Sequence, residues 1–267
     1  MPKTLNDVLT AVKSGTSLDH ADLYQLNLGG ADLQTAQLRY ATLVRTNLSK
    51  ANLSHADLKA ADLRGSDLSG AILREADLQG ACLYRANLNG ADLSTATLTD
   101  SQIKGAQYDS QTRFPEGFNY KSSGAIGPAA NLNGAPLNTA NLRQSDLQGT
   151  SLLGAYLGGA DLSGANLSGA RLAQADLRRA TLTGASLREA RLNGANLAGA
   201  DLRAADLSGL AFEQFESIAG ADFTLAKGLD DAMRSRLLSY PAEQLETVHP
   251  LTLKTTRASL TLDGPQG

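Results

Sequence analysis

Along most of the chain a large apolar residue recurs at every fifth position, with a small residue two places before it and polar residues between. The central large residue repeats 19 times from Leu18 to Tyr108 and 17 times from Leu132 to Phe212. Leu fills 33 of these 36 central positions, and Ala fills 28 of the 36 small positions. A period of five matches neither the 3.6-residue period of a helix nor the two-residue period of a strand. The pattern predicts a coil that bends once per repeat and buries both residues.

Turn-forming residues stand where such a coil must bend, as at Gly29-Gly30. The runs Ala51-Asn-Leu-Ser-His-Ala-Asp-Leu and Ala160-Asp-Leu-Ser-Gly-Ala-Asn-Leu resemble the pentapeptide-repeat proteins, a family common in cyanobacteria, over residues 16–108 and 130–212. The resemblance implies an all-β fold, a right-handed quadrilateral β-helix with four repeats in each coil. The repeats would then make about nine coils, stacked about 4.8 Å apart in one continuous solenoid domain.

A helical cap is predicted before the repeats, in residues 1–15. Its apolar residues follow the i, i+3, i+4, i+7 spacing of one helix face: Leu5, Val8, Leu9 and Val12. Thr4 and Asp7 suit the first turn of this helix. Because a solenoid exposes backbone groups on its terminal coils, the helix is expected to cover the first coil.

The C-terminal segment, residues 213–267, departs from the five-residue frame and is expected to form a second cap. The apolar residues out of register are Phe215, Ile218 and Phe223. A short helix is predicted over 229–240, and the tail from Pro241 either packs along the repeats or is disordered. The helix suits the cap of a monomer, whereas the resemblance to gyrase-binding family members implies a dimer through this C-terminal helix. Both oligomeric states stay open.

An inserted loop, residues 109–129, interrupts the repeats. It carries three aromatic residues in a chain with only five Phe and seven Tyr: Phe114, Phe118 and Tyr120. Long loops on a rigid scaffold often carry recognition, so the loop is a candidate for binding a protein partner. Alternatively, the rings lie flat on one outer face and shield it.

Composition and charge narrow the function. The chain carries 24 Lys+Arg against 27 Asp+Glu, a net charge of −3, so no nucleic-acid partner and no membrane association are expected. A lone Cys82, the absence of a long apolar run and an N-terminus without a signal-like stretch favour a cytoplasmic protein. The two repeat blocks hold 16 Asp+Glu and 15 Lys+Arg. Such balance disfavours the alternative that the resemblance raises, a DNA mimic that binds DNA gyrase.

Residues suited to catalysis or metal binding are scattered. His20, His55 and His249 lie far apart in the repeat, and with Cys82 they form no metal site or nucleophile–base pair. The Asp residues before the central Leu are expected to bond to nearby backbone at the turns or to be solvated. No catalytic residue, metal or cofactor is therefore expected, and the chain is predicted not to be an enzyme.

One surface pattern follows the 20-residue period of a four-repeat coil. It places basic residues on the same face of four successive coils, with Tyr24 and Tyr84 nearby: Arg45, Arg64, Arg85 and Lys104. This face is either a surface for an acidic partner or a solvated face neutralised by Asp22 and Asp62. We expect a structural, protein-interaction scaffold, similar to regulatory members of the family, that presents its faces and the loop to a protein partner.

Overall fold

The computed structural model describes residues 4–261, and the regular part of the protein is a β-helix. Parallel backbone bridges join residues 20 positions apart, beginning with Asp22 and Thr42 and recurring every five residues. The same ladder runs from Asn131 and Ser151 to Arg191 and Ala211. Four five-residue repeats therefore make one coil with four sides, which confirms the β-helix that the resemblance implied.

Each repeat pairs its backbone with the next coil in the same way. The N–H of the central Leu23 donates to the carbonyl of Thr42 at 2.8 Å, and the N–H of Thr42 donates to the carbonyl of Ala21 at 2.9 Å. The N–H of Gln25 donates to Val44 at 3.0 Å. These bonds repeat along both blocks, so the coils are joined on every side as the strands of a parallel sheet are.

A tight turn closes each side of the coil. After Leu28, the N–H of Ala31 donates to the Leu28 carbonyl at 3.1 Å, and Gly30 has a φ of +68°. A positive φ at the third turn residue alone is typical of a type II turn. The remaining donor is the N–H of Gly29, which the side chain of Asn27 accepts at 3.2 Å. The Asp or Asn before the central Leu thus completes the backbone pairing of its own repeat.

The interior of each coil is filled by the central and the small residue of every repeat. Because four central side chains meet in a narrow lumen, a large residue at the small position would overpack it. Where that position holds Thr46, its hydroxyl donates to the Leu23 carbonyl at 2.7 Å, so the buried oxygen keeps a partner. The two exceptions to the small-residue rule, Leu26 and Leu210, are only half-buried.

The chain divides into two compact units, Met1–Gly127 and Pro128–Gly267, where the sequence predicted one continuous solenoid domain. The repeat has the same pattern in both blocks, so the sequence gave no sign of two separate contact networks. The ladder of the first unit ends at Ile126, and that of the second begins at Asn131.

The first unit begins with a helix, α1 (Leu5–Lys13). Its capping box has the Thr4 hydroxyl accepting from the Asp7 N–H at 3.2 Å and the Asp7 carboxylate accepting from the Thr4 N–H at 3.0 Å. Val8 is the buried residue of this helix. The period of its apolar residues predicted this element within one residue at either end.

The interruption between the repeat blocks is shorter in the structure than the 109–129 loop of the sequence. Arg113 pairs with Asp92, 21 residues earlier, and Ile126 pairs with Gln107, 19 residues earlier. The ladder therefore continues through most of the first part of this segment with a shifted spacing. A search for a strict five-residue frame misses pairs that carry one extra or one missing residue.

The β-helix of the second unit continues beyond Phe212, where the sequence placed the end of the second repeat block. Its last parallel bridges are spaced by 21 residues: Asn196 with Ser217, Asp201 with Asp222, and Asp206 with Lys227. One extra residue shifts the frame, so Ile218 and Phe223 occupy central positions and are 0 % and 2 % exposed. The expectation that they lie outside the repeat is corrected, and the block extends to Lys227.

The end of the second unit is covered by three short helices. They are α2 (Asp231–Leu238), α3 (Ala242–Leu245) and α4 (Thr256–Thr261), with an antiparallel bridge between Val248 and Thr255. α2 lies inside the predicted 229–240 helix. The tail from Pro241 is folded against the last coil through Thr261, since the Thr256 hydroxyl donates to the Ile218 carbonyl at 3.0 Å.

Candidate interaction surfaces

One corner of the first unit gathers the four basic residues that the 20-residue period predicted. This basic corner comprises the turn pairs 24–25, 44–45, 64–65, 84–85 and 104–105. The N–H of Arg45 donates to the carbonyl of Arg64 at 2.9 Å, and that of Arg85 donates to Lys104 at 3.3 Å. All four side chains are exposed. They therefore follow one another on successive coils, one on each.

Only one of these four charges is neutralised within its own surface. The Arg64 guanidinium makes a two-pronged contact with the Asp62 carboxylate, with Nε 2.8 Å from Oδ1 and Nη2 2.5 Å from Oδ2. These hydrogen bonds from Arg64 hold the pKa of Asp62 below its ordinary value, although partial burial opposes them. Asp22 instead accepts the backbone N–H of Tyr24 at 3.1 Å. Of the two carboxylates expected to neutralise the row, Asp62 alone makes an ion pair with it.

The other three basic residues of the corner lack an ion pair. Within residues 4–261, no carboxylate oxygen lies within 4.0 Å of the charged groups of Arg45, Arg85 or Lys104. The stems of both arginines lie across a glycine of the next coil. A Cβ added to Gly65 would stand 3.7 Å from Arg45 Cγ, and one added to Gly105 would stand 3.3 Å from Arg85 Cγ. The corner thus holds three unpaired cations on packed stems.

The three loop aromatics form a cluster with Tyr108, which occupies a central position and is 3 % exposed. The rings of Phe114 and Tyr120 stack at 4.3 Å, and Phe118 stacks on Phe114 at 5.8 Å. Phe114 and Tyr120 each meet Tyr108 edge-on, at 5.6 and 5.2 Å. All three loop rings are half-buried. This packing favours the shielding interpretation, since each ring contacts another and none stands alone on the surface.

The histidines and the cysteine take unrelated places. His20 stacks on Tyr40 at 4.9 Å, His55 Nδ1 lies 3.2 Å from the Glu75 carboxylate, and His249 is buried in the second unit. Cys82 is half-buried on the side wall of the first. Over residues 4–261, no three His, Cys, Asp or Glu side chains are grouped as metal ligands. In the same part of the chain, every helix is too short or too polar to cross a membrane.

The structure adds a pair of arginines that the sequence analysis did not single out. Arg171 and Arg191 are bridge partners on adjacent coils of the second unit, and both are exposed. Neither makes an ion pair within the described residues. Arg191 also borders a surface cleft of about 660 Å³ with Phe212, Met233 and Arg236. The 20-residue period that identified the basic corner would have found this pair as well.

A buried polar network in the second unit was also missed. Asp222 is 1 % exposed and accepts hydrogen bonds from the hydroxyls of Thr224 and Thr252, each at 2.6 Å. Burial raises the pKa of Asp222, but these hydrogen bonds and nearby His249 outweigh burial and leave that pKa below its ordinary value. Asp201, its bridge partner, is paired with Arg203 at 2.7 Å. The sequence held no signal for this network, because the 21-residue spacing and the folded tail create it.

Comparison with known proteins gives the family. A model of pentapeptide repeats matches in eight copies, over residues 16–54, 51–90, 83–107, 128–164, 140–179 and 170–209. The chain belongs to the pentapeptide-repeat family. No curated protein matches this pentapeptide-repeat chain.

Several solved pentapeptide-repeat structures are similar. HetL from the cyanobacterium Nostoc sp. strain PCC 7120, involved in heterocyst differentiation regulation, is 32 % identical over 85 % of this chain and 95 % of its own, with a TM-score of 0.38. The protein alr5209 from Nostoc PCC 7120 is 36 % identical over 46 % of this chain and 93 % of its own, with a TM-score of 0.34. QnrB1, a plasmid-mediated fluoroquinolone resistance protein, is 18 % identical over 82 % and 98 %, with a TM-score of 0.35. Because all three scores are low, membership rests on the sequence matches.

Proposed function

We propose that this pentapeptide-repeat protein is a non-enzymatic interaction scaffold that presents the basic corner of its first unit to an acidic protein partner. The observation that carries the proposal is the set of three cations without ion pairs, Arg45, Arg85 and Lys104, on exposed turns of adjacent coils. Like charges held close together repel one another, and a partner of opposite charge offsets that repulsion.

Rigidity supports the same proposal. The backbone at the corner is fixed by bonds between coils, such as that from the Gly65 N–H to the Tyr84 carbonyl at 2.9 Å. The arginine stems rest on glycines of the next coil, so part of their rotamer freedom is already lost before a partner arrives. Preorganised side chains cost less entropy to immobilise on binding, which strengthens association without additional contacts.

A regulatory role is part of this proposal. HetL, 32 % identical to this chain, is involved in the regulation of heterocyst differentiation. A scaffold that recruits one acidic protein can regulate by controlling where that protein is available. The aromatic cluster of the first unit is assigned a structural role here, because its half-buried rings pack on Tyr108 and on one another.

The proposal is tested by cross-linking in the native cell. A photoreactive amino acid replaces Tyr84, which is 39 % exposed on the basic corner, and the cross-linked proteins are identified by mass spectrometry. We expect one acidic protein as the main product. The product is expected to fall at least tenfold when Arg45→Gln, Arg85→Gln and Lys104→Gln are combined, because the corner then has no unpaired charge.

A matched control removes the same number of charges from the second unit. Arg171→Gln, Arg179→Gln and Arg191→Gln neutralise three exposed arginines that also lack ion pairs within residues 4–261. These changes are expected to leave the cross-link at Tyr84 intact. A cross-link that both triple variants weaken equally, or no acidic product at all, would contradict the proposed function.

A further inference from the structure

We propose that the basic corner recognises an acidic α-helix of its partner, laid along the stacking direction of the coils. The inference rests on the proposed function and names the form of the partner. It follows from the spacing of the three unpaired cations, which the β-helix fixes. Arg45 and Arg85 lie two coils apart, and Lys104 lies one coil beyond Arg85.

The spacing of the cations matches carboxylates on one helix face. Coils stack about 4.8 Å apart, which puts the unpaired residues at about 0, 9.6 and 14.4 Å along the coil axis. A helix rises about 1.5 Å per residue, so acidic residues at i, i+7 and i+11 lie at about 0, 10.5 and 16.5 Å. They also share one face, because seven and eleven residues complete nearly two and three turns. The mismatch of about 1 to 2 Å is within the reach of flexible Arg and Lys side chains.

An extended segment fits this spacing less well. Side chains on one face of a strand recur about every 6.7 Å, so the nearest positions differ from the Arg85 level by about 3 Å. The middle cation of the three would then have no carboxylate opposite it. The extended form predicts binding through two charges only, whereas the helical form engages all three.

The tyrosines of the corner supply contact area for such a helix. Tyr24 is 46 % exposed on the first coil of the corner, and Tyr84 is 39 % exposed beside Arg85. Tyr offers a large amphipathic surface with few rotatable bonds, and it is enriched at interfaces for this reason. A helix along the cations passes both rings, so its Leu or Ala residues next to the carboxylates would pack against them.

Nucleic acid is the less favoured occupant of the corner. Tight non-specific binding to DNA rests on many phosphate contacts, often six to ten for a protein whose affinity depends strongly on salt. The corner offers three unpaired cations, and Asp22 and Asp62 border it. A protein helix with three carboxylates needs no more than this set.

The test measures the binding of designed peptides to the full-length protein by fluorescence anisotropy. One Ala-rich helical peptide carries Glu at i, i+7 and i+11. A second peptide has the same composition with Glu at i, i+5 and i+9, which lie on different faces, and both are checked for equal helicity by circular dichroism. We expect the aligned peptide to bind at least tenfold more tightly at low salt, and the difference to shrink as salt screens the charges.

Two variants locate the effect. Combining Arg45→Gln, Arg85→Gln and Lys104→Gln is expected to abolish the preference for the aligned peptide, whereas Arg171→Gln, Arg179→Gln and Arg191→Gln are expected to retain it. Equal binding of both peptides, tighter binding of a proline-containing extended peptide of the same charge, or displacement of the aligned peptide by duplex DNA at equal concentration would overturn the helix inference. In those cases a charge-dependent cross-link at Tyr84 would still uphold the proposed function, so the two failures are distinguishable.

Discussion

At the residue scale, the Asp or Asn of each repeat has a structural task that is repeated around the coil. Its side chain accepts the N–H of the first turn residue, as Asp32 does for Gln34 and Asn166 does for Ser168. This N–H has no backbone acceptor in the coil, and the short side chain supplies one in the manner of an Asx turn. The abundance of Asp in the sequence is therefore explained by turn formation, as the sequence analysis expected.

Replacing one of these side chains separates the hydrogen bond from the charge. Asp67 Oδ1 accepts the N–H of Ser69 at 3.0 Å and the side-chain amide of Asn87 at 3.1 Å. Asp67→Ala removes both bonds and is expected to lower the free energy of unfolding by about 1–2 kcal/mol in urea titrations. Asp67→Asn keeps an acceptor oxygen and is expected to cost clearly less. Equal losses for the two variants would show that the carboxylate charge matters more than the turn.

Gly127 is held in place by contact with Tyr108 in the first unit. A Cβ at this position would lie 2.5 Å from the Tyr108 carbonyl oxygen, which is backbone and cannot rotate away. Gly127→Ala is therefore expected to destabilise the protein by about 1–3 kcal/mol, measured by thermal unfolding. Gly29→Ala is the control, because its nearest neighbours are flexible side chains at 3.1 Å or more. A smaller loss at Gly127 than at Gly29 would contradict this explanation.

At the scale of elements, the helices of the second unit serve to satisfy the open edge of the last coil. Side chains from the cap bond to backbone groups that have no further coil to pair with. The Ser259 hydroxyl accepts the Phe223 N–H at 3.1 Å, and the Arg236 guanidinium donates to the Phe212 carbonyl at 2.9 Å. An edge of unpaired N–H and C=O groups invites pairing with another chain, so this cover also guards against aggregation.

The Tyr240 hydroxyl is the clearest single test of the cap. It accepts the Phe215 N–H at 2.6 Å and lies 3.4 Å from the Phe215 carbonyl. Tyr240→Phe leaves this buried edge without a partner and is expected to cost about 1–3 kcal/mol. Hydrogen exchange at the Phe215 amide should accelerate in the variant. Tyr40→Phe, at an exposed ring that only stacks on His20, is expected to be neutral and serves as the control.

The buried network of Asp222 makes the cap sensitive to acid. The pKa of Asp222 in the folded protein is below its ordinary value of about 3.9, so folding favours the ionised carboxylate. Its contribution to stability is therefore complete above about pH 3.9 and is lost as the pH falls through the lower folded-state pKa. Protonation weakens the bonds from Thr224 and Thr252.

The measurement is the unfolding free energy as a function of pH. Asp222→Asn is expected to be less stable than the parent protein at neutral pH and to flatten the acid limb of the curve. Asp146→Asn changes a half-buried Asp of the same repeat position that has no arginine partner, and it is expected to leave the limb steep. A parent curve that Asp222→Asn does not change would contradict the role of this carboxylate.

The sequence predicted the repeating elements well and the irregular ones poorly, for a physical reason. A central Leu or a small Ala meets the same surroundings in every coil, so its period is sufficient to place it. The partners of Arg113 and Ile218 depend on a single extra residue, which shifts the frame without any change in composition. The cap tail has no period at all, and its fold rests on contacts such as that of Thr256 with Ile218.

At the scale of the whole molecule, the candidate surface follows from the combination of period and pairing. The 20-residue period was enough to predict that the four basic residues share a face. It could not show that Asp62 neutralises Arg64 alone, since this depends on side-chain geometry. The handedness of the β-helix and its count of about nine coils stay predictions of the family resemblance.

Charge balance over the whole chain predicts how this protein behaves toward DNA gyrase. A protein that replaces DNA on an enzyme must present sustained negative potential, because DNA carries one charge for about every 1.7 Å of its axis. The repeat blocks here contain 16 acidic and 15 basic residues, and the basic corner is locally positive. We therefore expect no inhibition of gyrase supercoiling at micromolar protein and no protection of the enzyme from a quinolone. The parent protein and the triple Gln variant of the basic corner are compared in the same assay, since removing three positive charges shifts the surface toward that of a polyanion. Clear inhibition by the parent would reverse the ranking and favour a DNA mimic over an acidic-partner scaffold.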